Sequence, residues 1–253
     1  MCMLETAISA AKAGGKVLMK HFRKEHKVHS KGPRDIVTNV DIESENAIIK
    51  TIKKKFPKHG IMAEEKGAID KDSEYTWIID PLDGTNNYQN GIEFFNVAVA
   101  VAKNKELIIG VVYDPVKDEM FVAEKGKGAT LNGKEIKVNQ KVALNHCILS
   151  TNPGSTLNKY KSVYYRKFSH KLRAVRIMGS KELELAYVAC GRLDIYYNTS
   201  TYLWDVAAAI VIIREAGGVV KKFDGTEWTI DDNEFIALGR PLLPEILKIV
   251  ERK

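Results

Sequence analysis

The sequence predicts a mixed fold: an α+β half over residues 1–140 packed with an α/β half over 141–253 into one compact unit. Two rhythms in the chain predict it. Strand-like runs follow one another across tight turns from about residue 60 to about residue 135, and strand and helix signals alternate from about residue 140 onward. Neither stretch carries an internal repeat or a low-complexity linker.

From the N-terminus, Leu4, Ile8, Ala11, Gly15, Leu18 and Phe22 recur at helical spacing and predict an amphipathic helix. The polar, basic stretch 26–34, with Gly32-Pro33, reads as a flexible loop. A second helix starts after Thr38, buries Ile48, Ile49, Ile52 and Phe56, and stops at Pro57. Strands follow at 61–63, 75–79 and 95–101, the last with one bulky and one small face. Strands at 107–113 and 120–123 continue the sheet, and Asn132-Gly133 is a hairpin turn signal. In the second half, strands are expected at 148–150, 175–178, 194–197, 219–221 and 235–238. Helices are expected at about 156–169, 181–190, 205–216 and 242–251, with Gly191 and Gly217 where helix C-caps belong.

Composition narrows the class. Apolar residues make up 45% of the 253, enough for a core without staples. The three cysteines are widely spaced and lack metal-ligand spacing, which favours unpaired thiols in a reducing interior. No apolar run reaches the roughly 18 residues of a membrane span, so no membrane partner is expected and the location expected is cytoplasmic. The net charge of +7 suits steering of a small anion, and equally a nucleic-acid surface. Seven basic and no acidic residues run from Lys159 to Arg176, which reads as a solvated face or a subsite for a second phosphate ahead of a surface for nucleic acid or a partner protein.

The chemistry concentrates in Trp77-Ile78-Ile79-Asp80-Pro81-Leu82-Asp83-Gly84-Thr85. An apolar strand runs directly into two aspartates around a proline-fixed turn, and Gly84 permits close backbone approach. Thr85 offers a hydroxyl and an N–H where a phosphate could dock at a helix start. Taken alone, the same residues also make an ordinary surface turn. Three further acidic positions accompany them: Asp41 near a helix start, Glu64-Glu65 after a short strand, and Asp205 after Trp204. Each has an innocent use at a helix N-terminus or in solvent. Together they recur at strand ends and helix starts, where sites gather in sheet proteins.

These segments resemble the inositol monophosphatase family, within a sugar phosphatase superfamily that includes fructose bisphosphatases. Trp77 to Tyr88 is similar to the family's first motif, and Trp204 to Ala209 running on to Glu215-Ala216-Gly217-Gly218 to its second. The resemblance implies a layered αβαβα sandwich and a symmetric dimer. It implies that Glu64, Asp80, the Leu82 carbonyl, Asp83 and Asp205 hold two or three Mg2+ ions. It further implies that Asp41 and Thr85, with a cation near Glu64, prepare the attacking water, and that Glu65 and Lys31 support the site. On the substrate side it points to Gly84, Thr85, Gly179, Ser180, Lys181 and Asn198. Lys181 stands where alanine is usual, and Asn198 where inositol-type members carry an acidic residue.

Physics agrees that converged acids need cations. Two carboxylates about 4 Å apart repel by roughly 4 kcal/mol at an effective dielectric of about 20, and oxygen-only ligands favour Mg2+. The expected activity is hydrolysis of inositol monophosphate, extending to fructose 1,6-bisphosphate, by metal-activated water. The alternatives are an adenosine 3′,5′-bisphosphate nucleotidase, or a regulator on the same fold that binds nucleic acid or protein. A nucleic-acid partner is not the expected one.

Overall fold

The computed structural model describes residues 2–24, 28–32, 35–70, 73–151, 166–168 and 170–250. Helix α1 (Met3–His21) opens the chain where its periodicity predicts it. The stretch expected as a Gly-Pro loop instead carries an antiparallel hairpin of β1 (Val28–Gly32) and β2 (Asp35–Thr38). Ile36, Val37 and Thr38 are β-branched and favour extended backbone, a preference masked by the basic, polar composition around them. Helix α2 (Asn39–Lys53) follows with Thr38 as its N-cap. It buries Ile48 and Ile52, leaves Ile49 and Phe56 half-buried, and ends short of Pro57.

An eight-stranded sheet comes next, built from β3 (Gly60–Ala63), β4 (Gly67–Ile69), β5 (Tyr75–Asp83), β6 (Asn96–Lys103), β7 (Glu106–Asp114), β8 (Glu119–Glu124), β9 (Ala129–Leu131) and β10 (Lys134–Glu135). Its order is β10-β9-β8-β7-β6-β5-β3-β4, antiparallel throughout except for the β3–β5 pair. Three-residue β4 is too short for any periodic signal in sequence. The five-residue helix α3 (Thr85–Gln89) interrupts the sheet directly after β5. Asn132 and Gly133 both adopt positive φ, as the hairpin between β9 and β10 demands.

The two faces of β6 set the layering. Val97, Val99 and Val101 point toward α1 and α2, where they meet Ala7, Ala11, Ile48 and Trp77. Ala98, Ala100 and Ala102 point the other way, toward helices α4 (Lys181–Ala189) and α5 (Ala207–Glu215). Every residue of α5 from Ala207 to Ile213 is buried, as an apolar helix between two sheets must be.

A second, five-stranded sheet closes the sandwich: β11 (Ile148–Thr151), β12 (Ala174–Arg176), β13 (Ile195–Asn198), β14 (Gly218–Lys221) and β15 (Phe235–Gly239). Its order is β12-β11-β13-β15-β14, with β11 parallel to both neighbours and β15 antiparallel to both of its own. Helix α6 (Leu243–Val250) covers the outer face, packing Ile246 and Val250 with Leu149, Ile195 and Leu238. The layers therefore run α, β, α, β, α. The helix expected at about 156–169 lies mostly outside the described residues. Helix α5 starts later than the expected 205, after a 3-10 turn at Leu203–Asp205. Among the described residues no helix is long and apolar enough to cross a membrane.

Close approach of α5 to the first sheet depends on Gly110 of β7. A Cβ there would sit 2.1 Å from the Ala208 carbonyl oxygen, a backbone atom that cannot swing aside. Replacing Gly110 by Ala should therefore destabilise the fold by about 1–3 kcal/mol, the usual cost of forced overpacking. Urea denaturation should read this as a lower midpoint at unchanged slope.

Candidate active site

Residues three apart on a regular strand face opposite ways, because side chains alternate. Asp80 and Asp83 of β5 escape that rule. Asp80 pairs with Ala98 of β6 and Asp83 with Asn96, so three steps along β5 match two along β6. The extra residue makes a bulge at Pro81-Leu82 that turns both carboxylates to the face shared with Ala98 and the inter-sheet helices. Asp80 Oδ1 accepts from the Leu82 N–H at 3.0 Å, which satisfies a donor that the bulge takes out of the ladder. The segment expected as a turn after a strand is thus the end of the strand itself. Gly84 then takes φ 96°, with a would-be Cβ 3.1 Å from the Phe94 carbonyl oxygen, so the position favours glycine twice over.

Helix α2 brings Asp41 to the same bulge. Asp41 Oδ2 accepts from the Thr38 N–H at 2.9 Å and from the Thr38 hydroxyl at 2.5 Å, completing a capping box. Its Oδ1 faces the Thr85 hydroxyl at 3.4 Å, and that hydroxyl also donates to the Leu82 carbonyl at 3.1 Å. One turn further on, Ser44 donates to the Pro81 carbonyl at 2.9 Å and ties α2 to the bulge. Glu45 accepts from the Glu65 N–H at 2.8 Å, which fixes the segment after β3. Since β3 runs parallel to β5 with Ala63 opposite Ile79, Glu64 emerges beside Asp80.

The inter-sheet helices supply the rest. Asp83 Oδ2 accepts from the Asn96 amide, the Ser180 hydroxyl and the Glu182 N–H, all at 2.8 Å, and Oδ1 accepts from the Lys181 N–H at 3.1 Å. Asp83 therefore caps α4 from a different strand. Glu182 in turn accepts from the Ala208 and Ala209 N–H groups at 3.1 and 2.6 Å and caps α5. Glu184 accepts from the Met178 and Gly179 N–H groups at 2.5 and 3.1 Å and holds the turn before α4. Asp205 accepts from the Thr201 hydroxyl at 3.1 Å and the Tyr202 N–H at 3.3 Å, and its Oδ2 contacts the Lys181 ammonium.

These acids lie out of water and close to one another, and their proton affinities register it. Burial raises the Asp80 pKa well above the ordinary value, and the negative charges of Glu64, Asp83 and Asp205 raise it further. Burial also raises Asp41 and Asp83, opposed at Asp41 by the Thr38 hydrogen bonds and at Asp83 by that of Ser180. Lys181 pays for its burial, which disfavours its charge, yet Asp205, Asp83 and Asp80 hold its pKa above the usual value. Among the described residues no three His, Cys, Asp or Glu side chains form a ready-made cation cage. The donor set of Glu64, Asp80, Asp83 and Asp205 nevertheless has the chemistry of a hard-cation site: only oxygens, with mutual repulsion that a divalent ion would relieve.

Of the residues singled out in the sequence, Asp41, Glu64, Asp80, Leu82, Asp83, Gly84, Thr85, Ser180, Lys181 and Asp205 gather around the β5 bulge and the start of α4. Glu65 lies next to it through Glu45. Gly179 takes φ 86°, and its would-be Cβ lies 3.1 Å from the Asn87 side chain. Asn198 ends β13, 1% exposed, with its side-chain Oδ1 accepting from the Thr199 and Ser200 N–H groups. Lys31 falls on β1, and its side chain lies outside the described residues. Sequence reasoning missed Glu45, Asn96, Glu182 and Glu184. Glu45 sits one turn from Asp41 on the same helix face, and the two glutamates open an otherwise apolar helix, so both patterns were there to find.

A profile of the inositol monophosphatase family matches residues 1–253. The Nus factor SuhB of Haemophilus influenzae is 39% identical over 251 residues, covering 97% of this chain and 94% of its own. The fructose-1,6-bisphosphatase/inositol-1-monophosphatase of Thermotoga maritima is 37% identical over 251 residues, covering 99% and 96%. The crystal structure of extragenic suppressor protein suhB from Bartonella henselae superimposes with a TM-score of 0.94 at 32% identity, covering 98% of each chain.

Glu184 gives this site a pH signature. Its burial pushes the pKa up to about 8, against 4.5 for the free side chain. Between those values the folded state keeps a proton that the unfolded state has lost, so stability falls as pH rises through the interval. Thermal melts of E184Q between pH 5 and 8, a window taken as roughly that interval, should show a flatter decline than the unaltered protein.

Proposed function

The chain belongs to the inositol monophosphatase family, a phosphatase family, and from that premise we propose that it is a Mg2+-dependent phosphomonoesterase acting on a small phosphorylated polyol or sugar. Inositol monophosphate is the first substrate of this reading and fructose 1,6-bisphosphate the second, the latter supported by the name of the Thermotoga maritima relative. The observation that carries the proposal is the β5 bulge, which aims Asp80 and Asp83 at one side while Glu64 and Asp205 close in from other elements. In this reading Glu64, Asp80, the Leu82 carbonyl, Asp83 and Asp205 hold two or three ions. Mg2+ bound there supplies charge neutralisation on the phosphoryl oxygens and a lowered pKa for the attacking water.

The chain's own groups do the remaining work. Asp41 has one oxygen tied down by Thr38 and the other turned to the Thr85 hydroxyl, whose proton goes to the Leu82 carbonyl, so Asp41 Oδ1 and the Thr85 oxygen together present two fixed acceptors to a water. Burial raises the proton affinity of Asp41, which suits it to take a proton as that water attacks phosphorus. Displacement is direct, with no phosphate carried on the protein. Gly84 and Thr85 approach the phosphate through their backbone at the start of α3, and Gly179, Ser180, Lys181 and Asn198 border the organic part. A homodimer and a cytoplasmic location complete the proposal.

A second reading follows from the relatives named Nus factor SuhB: a regulator that binds nucleic acid or protein on this fold. Against it stands the retention of mutually repelling buried acids, which a pure binder has no need to hold together.

Purified protein assayed on inositol 1-phosphate, fructose 1,6-bisphosphate and adenosine 3′,5′-bisphosphate should release phosphate from one of the first two, and EDTA should abolish the release. Release that survives EDTA would contradict the proposal, and salt-sensitive RNA retention without any turnover would favour the regulator. Asp83→Asn should lower turnover by more than the ~100-fold typical of losing an outer partner of a metal site.

A further inference from the structure

Lys181 has no counterpart among the groups that phosphate hydrolysis requires, yet it occupies the centre of the acid cluster. Its backbone N–H donates to Asp83 Oδ1 at 3.1 Å, while its ammonium contacts Asp205 Oδ2 and lies 3.5 Å from the Thr201 hydroxyl. One residue thus touches two of the acids to which the proposed function assigns cations. The contact is sheltered as well, since the Lys181 and Asp205 side chains are only 15% and 14% exposed.

Ion pairs such as Lys117–Asp114 and Arg192–Glu119 join acids outside the four proposed ligands. Asp205 Oδ2 already accepts from Thr201 and Tyr202, and the ammonium adds a third donor to the same oxygen. An ammonium is a compact point charge that competes with a metal ion for oxygen lone pairs. Tethered at the first residue of α4, it competes at a high effective concentration.

We propose that Lys181 is a built-in counter-ion, which neutralises Asp205 when no divalent ion is bound and must leave that carboxylate for one to bind. The inference rests on the reading of Asp205 as a metal ligand. It makes Lys181 the residue that sets how much divalent cation the site needs, and it frees the ammonium, once displaced, to face an anionic substrate.

Direct metal binding tests this without any assay of turnover. Mn2+ titrated into the protein, with the free ion followed by electron paramagnetic resonance, should bind K181M about tenfold more tightly than the unaltered chain. K181R, which keeps the charge, should stay close to the unaltered chain. K181Q repeats the neutral case should the Met variant fold poorly, and the rise in Tm on adding Mn2+ should be larger for the neutral variants. Equal or weaker Mn2+ binding by the neutral variants would overturn the counter-ion role while leaving the phosphatase reading in place. Absence of Mn2+ binding by every form, the unaltered chain included, would overturn both.

Discussion

Carboxylates held out of water close to one another must each find positive charge or hydrogen-bond donors, and that requirement organises this molecule. Asp83 meets it with the N-terminus of α4, and Glu182, one residue further along, meets it with the N-terminus of α5. Asp41 meets it within its own capping box. Helix starts thus serve as the donors that let acids be buried, and each acid in return fixes where a helix begins. Asp80 is the exception, with one backbone donor and several negative neighbours. The residual demand for positive charge is concentrated there, where the proposed function places a cation.

The same requirement explains the layering. Helix termini reach the end of β5 only because α4 and α5 lie hard against the first sheet, and they do so because that face of β6 carries alanines and β7 carries Gly110. The opposite face of β6 carries valines and receives α1 and α2. A single strand therefore separates two kinds of packing: a thick apolar layer that contributes stability, and a thin one that permits precise approach of polar groups.

Relatives matched over nearly the full chain bear different names, Nus factor SuhB among them and fructose-1,6-bisphosphatase/inositol-1-monophosphatase as well. The frame common to them is the sandwich described above, so the name of a relative does not select a substrate for this chain. Within that frame this chain places a lysine at the first residue of α4 and an asparagine whose side-chain oxygen accepts from the following backbone at the end of β13.

The sequence by itself determined the mixed strand-and-helix class, most of the elements and the identity of the acids, while the layer order rested on the family resemblance. Helical and strand periods are local properties, and Asp-Pro-Leu-Asp-Gly-Thr is a contiguous motif. It did not reveal the β1–β2 hairpin, where composition hid β-branched preference, nor β4, which is too short to show a period. The tertiary structure decided how the acids converge. Asp80 and Asp83 share a face only through a bulge in register with β6, and register is a relation between strands. Glu45, Asn96, Glu182 and Glu184 join the site only because distant segments bring donors to them, or them to Asp83. The Lys181–Asp205 contact likewise spans two helix starts, a proximity that no local pattern encodes.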